Sequence, residues 1–316
     1  MAAYQAAMAT AAAPIGIKRN APGSVAYVVA SYLDSQAHFG RLAPGTRGMH
    51  RAILERFREA HGDLPFAIMP PKFIAWLLDQ KKPHAARNWL KTLRALSRFA
   101  VALDFRADNP ARDIKLAPIK GDGFHTWTDY EIAQYEAYHA IGTKARLALA
   151  LGRYTMQRRG DVIRMGRQHI RNGELHVTQQ KTGVALVLPV HPALAAIIEA
   201  TPGDHLTFLV TKSGKPYSGK DFSETFRQWC NEASLPGRCK FHGLRKAGLT
   251  WGADQGWSTH ELAAWSGHKT LAEIQRYTKA ADQRRAARAS LKRTLDQNES
   301  ATDSVPRSNP GVPQRR

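Results

Sequence analysis

The chain has 316 residues, a formal charge of +20 and 43% hydrophobic residues. That length allows two domains with separate cores, and the apolar share excludes disorder throughout. No apolar run approaches the roughly 20 residues of a membrane helix, and the Ala-rich start lacks a basic stretch ahead of an apolar core. Only Cys230 and Cys239 are present, too few for a disulfide framework or a four-ligand zinc site. A reducing cytoplasm and no membrane partner are therefore expected. The cationic excess is shared by both halves of the chain rather than confined to a tail. A polyanion, nucleic acid first, is the expected partner, although a solvated basic surface would give the same charge.

Residues 1–23 read as a flexible N-terminus, and residues 24–114 as an all-helical domain. Val25, Val28, Val29, Tyr32 and Leu33 form the apolar stripe of a first helix, and Ile53, Leu54 and Phe57 that of a second. Pro71 suits the first turn of a short helix holding Phe73, Ile74, Trp76 and Leu77. The longest helix is predicted from about Pro83 to Leu103, with Trp89, Leu90, Leu93, Leu96, Phe99 and Ala100 inward. Arg87, Lys91, Arg94 and Arg98 recur along it at spacings of three and four, a ridge suited to phosphates or to solvent.

Residues 115–125 lack periodicity, contain Pro and Gly, and read as a basic linker whose Lys120 is a further DNA-contact candidate. Residues 126–297 read as a mixed domain. Thr128 with Glu131 marks a helix start, and Lys144 to Tyr154 is an apolar helix. Asn172-Gly173 is a hairpin signal, after which ELHVTQQ and VALVLPV read as strands joined by a turn at Lys181-Thr182-Gly183. Helices are expected at His191–Ala200 and Asp221–Glu232, with a short strand around Phe208 between them. Ser258 with Glu261 and Thr270 with Glu273 mark two further helix starts. A helix follows Tyr277, and residues 298–316 are expected to be a disordered tail. The fold class is thus mainly α with a small β-sheet.

Within Phe241–Tyr277, His242 and Arg245 lie three apart and share a helix face, while His268 and Tyr277 follow on later helices. Together with Arg158, Asp161 and Lys181 they form an ordered series. TMQRRGDVIRM, QQKTG, FHGLR, SGHKT and Tyr277 in order resemble the tyrosine recombinases, the phage-type integrase family. The resemblance covers Phe124 to Arg293, and more loosely Ser24 to Lys115 as the SAM-like helical core-binding domain. It implies that Arg158, Lys181, His242, Arg245, His268 and Tyr277 are catalytic, with Asp161 orienting an arginine or histidine. Gln157 and Arg159 stand where apolar residues are commonest in that family, a departure expected to affect packing more than chemistry. The segment before Ser24 is shorter than the arm-site-binding domain of many integrases.

The implied activity is site-specific cleavage and rejoining of DNA through a 3′-phosphotyrosine, without ATP, metal or other cofactor, in a prokaryotic or phage setting. The residue chemistry agrees with it. Metal-free attack on a phosphodiester needs cations at the non-bridging oxygens, and guanidinium forks serve there. A phenol can attack once its proton has left, and Lys181 can protonate the leaving 5′ oxygen. Implied partners are duplex DNA held in a two-domain clamp, a tetramer of the chain on two sites, and accessory DNA-bending proteins. The helix after Tyr277 would dock on a neighbour or pack in cis. Two other readings share these residues: a type IB topoisomerase-like relaxase, and a DNA-binding architectural or regulatory protein that leaves the site unused.

Overall fold

The computed structural model describes residues 20–119, 121 and 123–303, the side chains of 280 and 297–303 excepted. Two compact units meet at Gly121 and Asp122, inside the expected linker. Lys120 lies outside the described residues, as do residues 1–19 and 304–316.

The first unit is helical: α1 (Val25–Asp34), α2 (Pro44–His61), α3 (Pro71–Asp79) and α4 (Pro83–Ala102), with a short π-turn at Gln36–Gly40. Pro44, Pro71 and Pro83 each open a helix, where the missing N–H costs nothing because the first-turn donors have no intrahelical partner. Ser24 opens α1 by accepting a 3.2 Å bond from the Tyr27 N–H. Most residues of the predicted stripes face inward: Val25, Val28, Val29 and Tyr32 pack with Leu54, Phe57, Leu93, Leu96 and Phe99. Trp76, assigned to the α3 stripe, is instead exposed.

The second unit contains α5 (Asp129–Tyr138), α6 (Lys144–Thr155), the single turn α7 (Arg159–Val162), a three-stranded sheet, then α8 (Pro192–Ala200) and α9 (Gly219–Glu232). It continues with α10 (Phe241–Asp254), α11 (Thr259–Ser266) and α12 (Ala272–Asp303). The sheet is antiparallel in the order β1 (Ile170–Arg171), β2 (Glu174–Thr178), β3 (Ala185–Pro189). Asn172 and Gly173 both have positive φ at the β1–β2 turn, the hairpin geometry their dipeptide favours. Trp127, Tyr135, Leu147, Leu151, Phe222, Phe226, Phe241 and Leu244 belong to the main core. A smaller cluster of Met156, Leu249, Ala253, Leu262, Ile274, Tyr277 and Ala281 joins α10, α11 and α12.

Thr128 and Ser258 form complete capping boxes with Glu131 and Glu261. The third expected box does not start α12. There the N–H groups of Ile274 and Gln275 reach the Leu271 carbonyl, which moves the helix start past Thr270. No strand forms around Phe208. Its N–H pairs with the Met165 carbonyl in a turn, and the only nearby ladder among the described residues is the isolated Val210–Pro216 bridge. A single bond to a turn offers no edge along which pairing could extend. Helix α12 runs on to Asp303, past residue 298, where the chain was expected to become disordered.

Candidate active site

The site is built where α6 crosses α10. Gly248 permits the close crossing, since a Cβ there would lie 2.4 Å from the Arg153 carbonyl oxygen and 2.9 Å from Met156 Cγ. Helix α6 ends at Met156 in the left-handed conformation, φ 53°, which turns the chain sharply into Gln157 and Arg158. The crossing brings the Met156 carbonyl within 2.6 Å of Arg245 Nη1.

Arg245 is 3% exposed, and its second arm, Nη2, donates to the Ser266 carbonyl at 3.1 Å. The same Nη2 lies 3.1 Å from Nε2 of His268 and 3.3 Å from its Nδ1. Ser266 Oγ donates to the Leu262 carbonyl at 2.6 Å and lies 2.6 Å from His268 Nδ1. A hydroxyl has one proton and a guanidinium only donates. Nδ1 therefore carries the ring hydrogen and donates to Ser266, leaving Nε2 as the acceptor for Arg245. Burial, followed by Arg245 and Arg158, holds the His268 pKa down to about 4, in keeping with that neutral tautomer.

His242, one turn before Arg245 on α10, lies tilted against Phe124, with ring centroids 4.8 Å apart. Its pKa is lowered by burial, then by Arg245, Arg158, Lys246 and Arg276. The Arg245 pKa falls to about 10, mainly through burial and then through repulsion from Arg158, with Tyr277, Asp161 and Glu273 opposing that drop. Even so it stays protonated near neutral pH. Neighbouring cations repel one another, and an anion placed beside them would relieve that repulsion.

Arg158 donates from Nη1 to Gln179 Oε1 at 2.8 Å. Asp161 is buried, with Oδ1 accepting from the Gln180 N–H at 2.8 Å and from Arg164 at 3.2 Å. Its second oxygen has no hydrogen-bond partner among the described residues. Asp161 thus fastens α7 to the end of β2 and influences Arg245 through its charge rather than by direct contact. Tyr277 is 9% exposed, and its Oη accepts from Arg276 Nη2 at 2.9 Å. The Arg276 guanidinium also lies over the Tyr277 ring, 4.9 Å from its centroid.

Arg158, His242, Arg245, His268 and Tyr277 therefore share one electrostatic neighbourhood. Lys181 does not join it directly. It is exposed on the β2–β3 turn, where no hydrogen bond or ion pair among the described residues holds its ammonium. Backbone bonds from Gln179 N–H to the Val184 carbonyl at 2.9 Å and from Gly183 N–H to the Gln179 carbonyl at 2.8 Å close that turn.

Sequence reasoning missed Gln157 and Gln179, both fully buried and hydrogen-bonded to each other at 2.7 Å. Through Gln179, which accepts from Arg158, Gln157 is linked to a charged group as well as to the packing around it. The visible signal was the strand alternation. Leu175 and Val177 point inward, so Gln179 is a polar residue at the next core position.

The cationic ridge on α4 divides in two. Arg94 donates to the carbonyls of Ala111, Arg112 and Ile114 at 2.9, 3.0 and 2.7 Å, and Arg87 to that of Ala117 at 2.9 Å. Those two tie down the chain leaving the helix, whereas Lys91 and Arg98 remain exposed on the same face.

Among the described residues, His125, Glu131 and Cys239 bring possible metal-ligand atoms within 4.8 Å of one another. The Glu131 oxygens are already engaged by Thr128 N–H at 2.9 Å, His125 at 2.7 Å and Arg238 at 3.0 Å. This is a closed network at the start of α5 rather than an open set of ligands.

A helical unit is thus followed by a mixed unit in which two arginines, two histidines and a tyrosine lie within one another's electrostatic influence. Residues 130–284 match the phage integrase family. Through that segment the chain belongs to the tyrosine recombinases of the phage integrase family. The integrase of Mycobacterium phage FRAT1 is 28% identical over 267 residues, covering 76% of this chain and 80% of that protein. A lambda integrase dimer bound to a COC′ core site is similar in fold, with TM-score 0.69, 22% identity, and coverage of 79% of this chain and 94% of that one. A lambda integrase tetramer bound to a Holliday junction gives TM-score 0.68 at 22% identity, covering 85% and 86%.

Proposed function

We propose that this chain is a site-specific DNA recombinase that breaks and rejoins strands through Tyr277. Its Oη attacks the scissile phosphorus as the phenol proton passes to water, and the bond from phosphorus to the 5′ oxygen breaks. The products are a 3′-phosphotyrosine and a free 5′ hydroxyl. Attack by the 5′ hydroxyl of another strand reverses the step and releases Tyr277, so the phosphoester count is conserved and no ATP is consumed. Arg158 and Arg245 balance the charge that builds on the non-bridging oxygens, with His242 and His268 beside them. Lys181, free on its turn, delivers the proton that the 5′ oxygen takes up.

The observation that carries this reading is that Tyr277 acts electrostatically on Arg245, a buried guanidinium with no carboxylate in direct contact among the described residues. Duplex DNA is the substrate, and the exposed Lys91 and Arg98 of the first unit contribute phosphate contacts. Assembly follows the solved relatives, where integrases occur as a dimer on a core site and a tetramer on a Holliday junction. The proximal part of α12 packs in cis. Ile274 and Ala281 are buried, and Arg285 donates to the Ala253 carbonyl at 2.6 Å. Leu291 and Leu295, both exposed, leave the distal part for a neighbouring protomer.

A nicked duplex made from DNA flanking the gene tests the chemistry. The wild-type chain should form a covalent adduct that Tyr277→Phe does not. Relaxation of supercoiled DNA without recombinant product would instead assign a topoisomerase-like activity. Binding without any adduct would assign an architectural role.

A further inference from the structure

We infer that Gln179, clamped by Gln157, is a positioning residue that sets Arg158, Arg245 and His268 relative to one another, an inference that rests on the strand-transfer reading above. Its carboxamide is fully buried and saturated. Oε1 accepts from Arg158 Nη1 at 2.8 Å and from Thr182 Oγ1 at 2.7 Å. Nε2 donates to Gln157 Oε1 and to the Ser266 carbonyl, both at 2.7 Å. An amide offers two acceptor sites and two N–H donors, so its capacity is used in full.

The orientation is forced by chemistry. A guanidinium can only donate and a backbone carbonyl can only accept, so the oxygen of Gln179 must face Arg158 and its nitrogen Ser266. Gln157 is fixed in the same way. Its Nε2 donates to the carbonyls of Thr155 and Trp265 at 2.9 and 3.0 Å, which leaves its oxygen for Gln179. Neither amide can flip without placing like groups face to face inside a core.

The linkage to the second arginine runs through Ser266. Its carbonyl receives both Gln179 Nε2 and Arg245 Nη2, and its hydroxyl receives the His268 ring. Thr182, beside Lys181, hangs from the same Gln179 oxygen. One side chain thereby connects α7, the β2–β3 turn and the end of α11. Gly267 leaves the needed room: its φ is 67°, and a Cβ there would stand 2.5 Å from Gln179 Nε2. An apolar pair would fill this core with less desolvation cost, so the buried amides are explained by what they hold.

The test compares Gln179→Met and Gln179→Glu with wild type in the full chain. The readouts are cleavage of the nicked duplex, DNA affinity and thermal midpoint. Met removes the four bonds at similar volume and should slow cleavage about 100-fold, the effect of a small misplacement of reacting groups, with affinity little changed. A carboxylate at 179 still accepts from Arg158 but confronts Gln157 Oε1 and the Ser266 carbonyl, both acceptors. Protonation restores one donor. The Gln179→Glu deficit should therefore shrink about 10-fold between about pH 8 and about pH 6, whereas the Met deficit stays flat against wild type.

Wild-type cleavage rates in both variants, or deficits of the same size at every pH that follow lost folding, would overturn the inference. The His268 ring resonances of DNA-free protein give a reading independent of cleavage. Their titration should move in Gln179→Met, and an unmoved titration would likewise count against the inference. If wild type forms no adduct while that titration still moves, it is the strand-transfer reading that falls.

Discussion

Arg245 and Lys181 are two cations proposed to serve one phosphate, and the structure treats them in opposite ways. Arg245 is buried, tied to the carbonyls of Met156 and Ser266, and pressed against other positive groups. Lys181 is exposed at the tip of a turn whose backbone is closed but whose ammonium is untethered. A charge that must meet developing negative charge without reorganising benefits from rigid placement. A proton donor that acts only as the leaving oxygen departs has to reach it at the right moment, and mobility serves it better.

Substitutions at these two positions should separate rigidity from reach. The largest effect is expected for Arg245→Lys. One ammonium cannot hold two carbonyls and face a phosphate with a planar fork, so cleavage should fall about a thousandfold. An Arg245→Lys variant that cleaves nearly as fast as wild type would show that charge alone suffices there. Lys181→Ala should slow cleavage about 100-fold while leaving the thermal midpoint unchanged, because nothing folded depends on that ammonium. A lowered midpoint would mean that the turn uses the lysine structurally.

The α4 ridge repeats the contrast in the first unit. Arg94→Ala removes three bonds to backbone carbonyls and should cost about 2 kcal/mol of stability, read from denaturant midpoints. Arg98→Ala should change stability by no more than about 0.5 kcal/mol, yet lower the slope of log affinity against log salt by about 1. Reversed results would dismiss the division of the ridge.

The smallest effect concerns pH. The His268 pKa is about 4 in the folded chain against an ordinary 6.5. Between those values the unfolded chain binds a proton that the folded chain refuses. The contribution to stability is complete above pH 6.5 and is lost as pH falls through the window toward 4. His268→Gln should flatten that part of the stability profile in urea titrations, and an unchanged slope would place the titration elsewhere.

The apolar stripes of α1, α2 and α4 were legible because period and burial coincide, and each residue named for α4 is indeed buried. The hairpin at Asn172-Gly173 was legible because that dipeptide tolerates positive φ. The set Arg158, His242, Arg245, His268 and Tyr277 was legible as an ordered series, though its convergence needs the α6–α10 crossing that Gly248 permits. What could not be read was which polar groups meet. Nothing local in QQKTG says that its first glutamine faces Arg158 and Ser266 across segments distant in sequence. Nor does the spacing on α4 say that Arg94 is spent on carbonyls downstream while Arg98 is free. The missing strand around Phe208 has the same origin, since an apolar run cannot show whether a neighbouring edge exists to pair with.

The central claim is that Tyr277 becomes joined to DNA, and peptide mapping of the trapped adduct tests it most directly. Protease digestion of the wild-type complex should leave one nucleotide-linked peptide, joined through a 3′ phosphate to Tyr277. A linkage to any other residue, or a cleaved substrate with no linked peptide, would contradict the account.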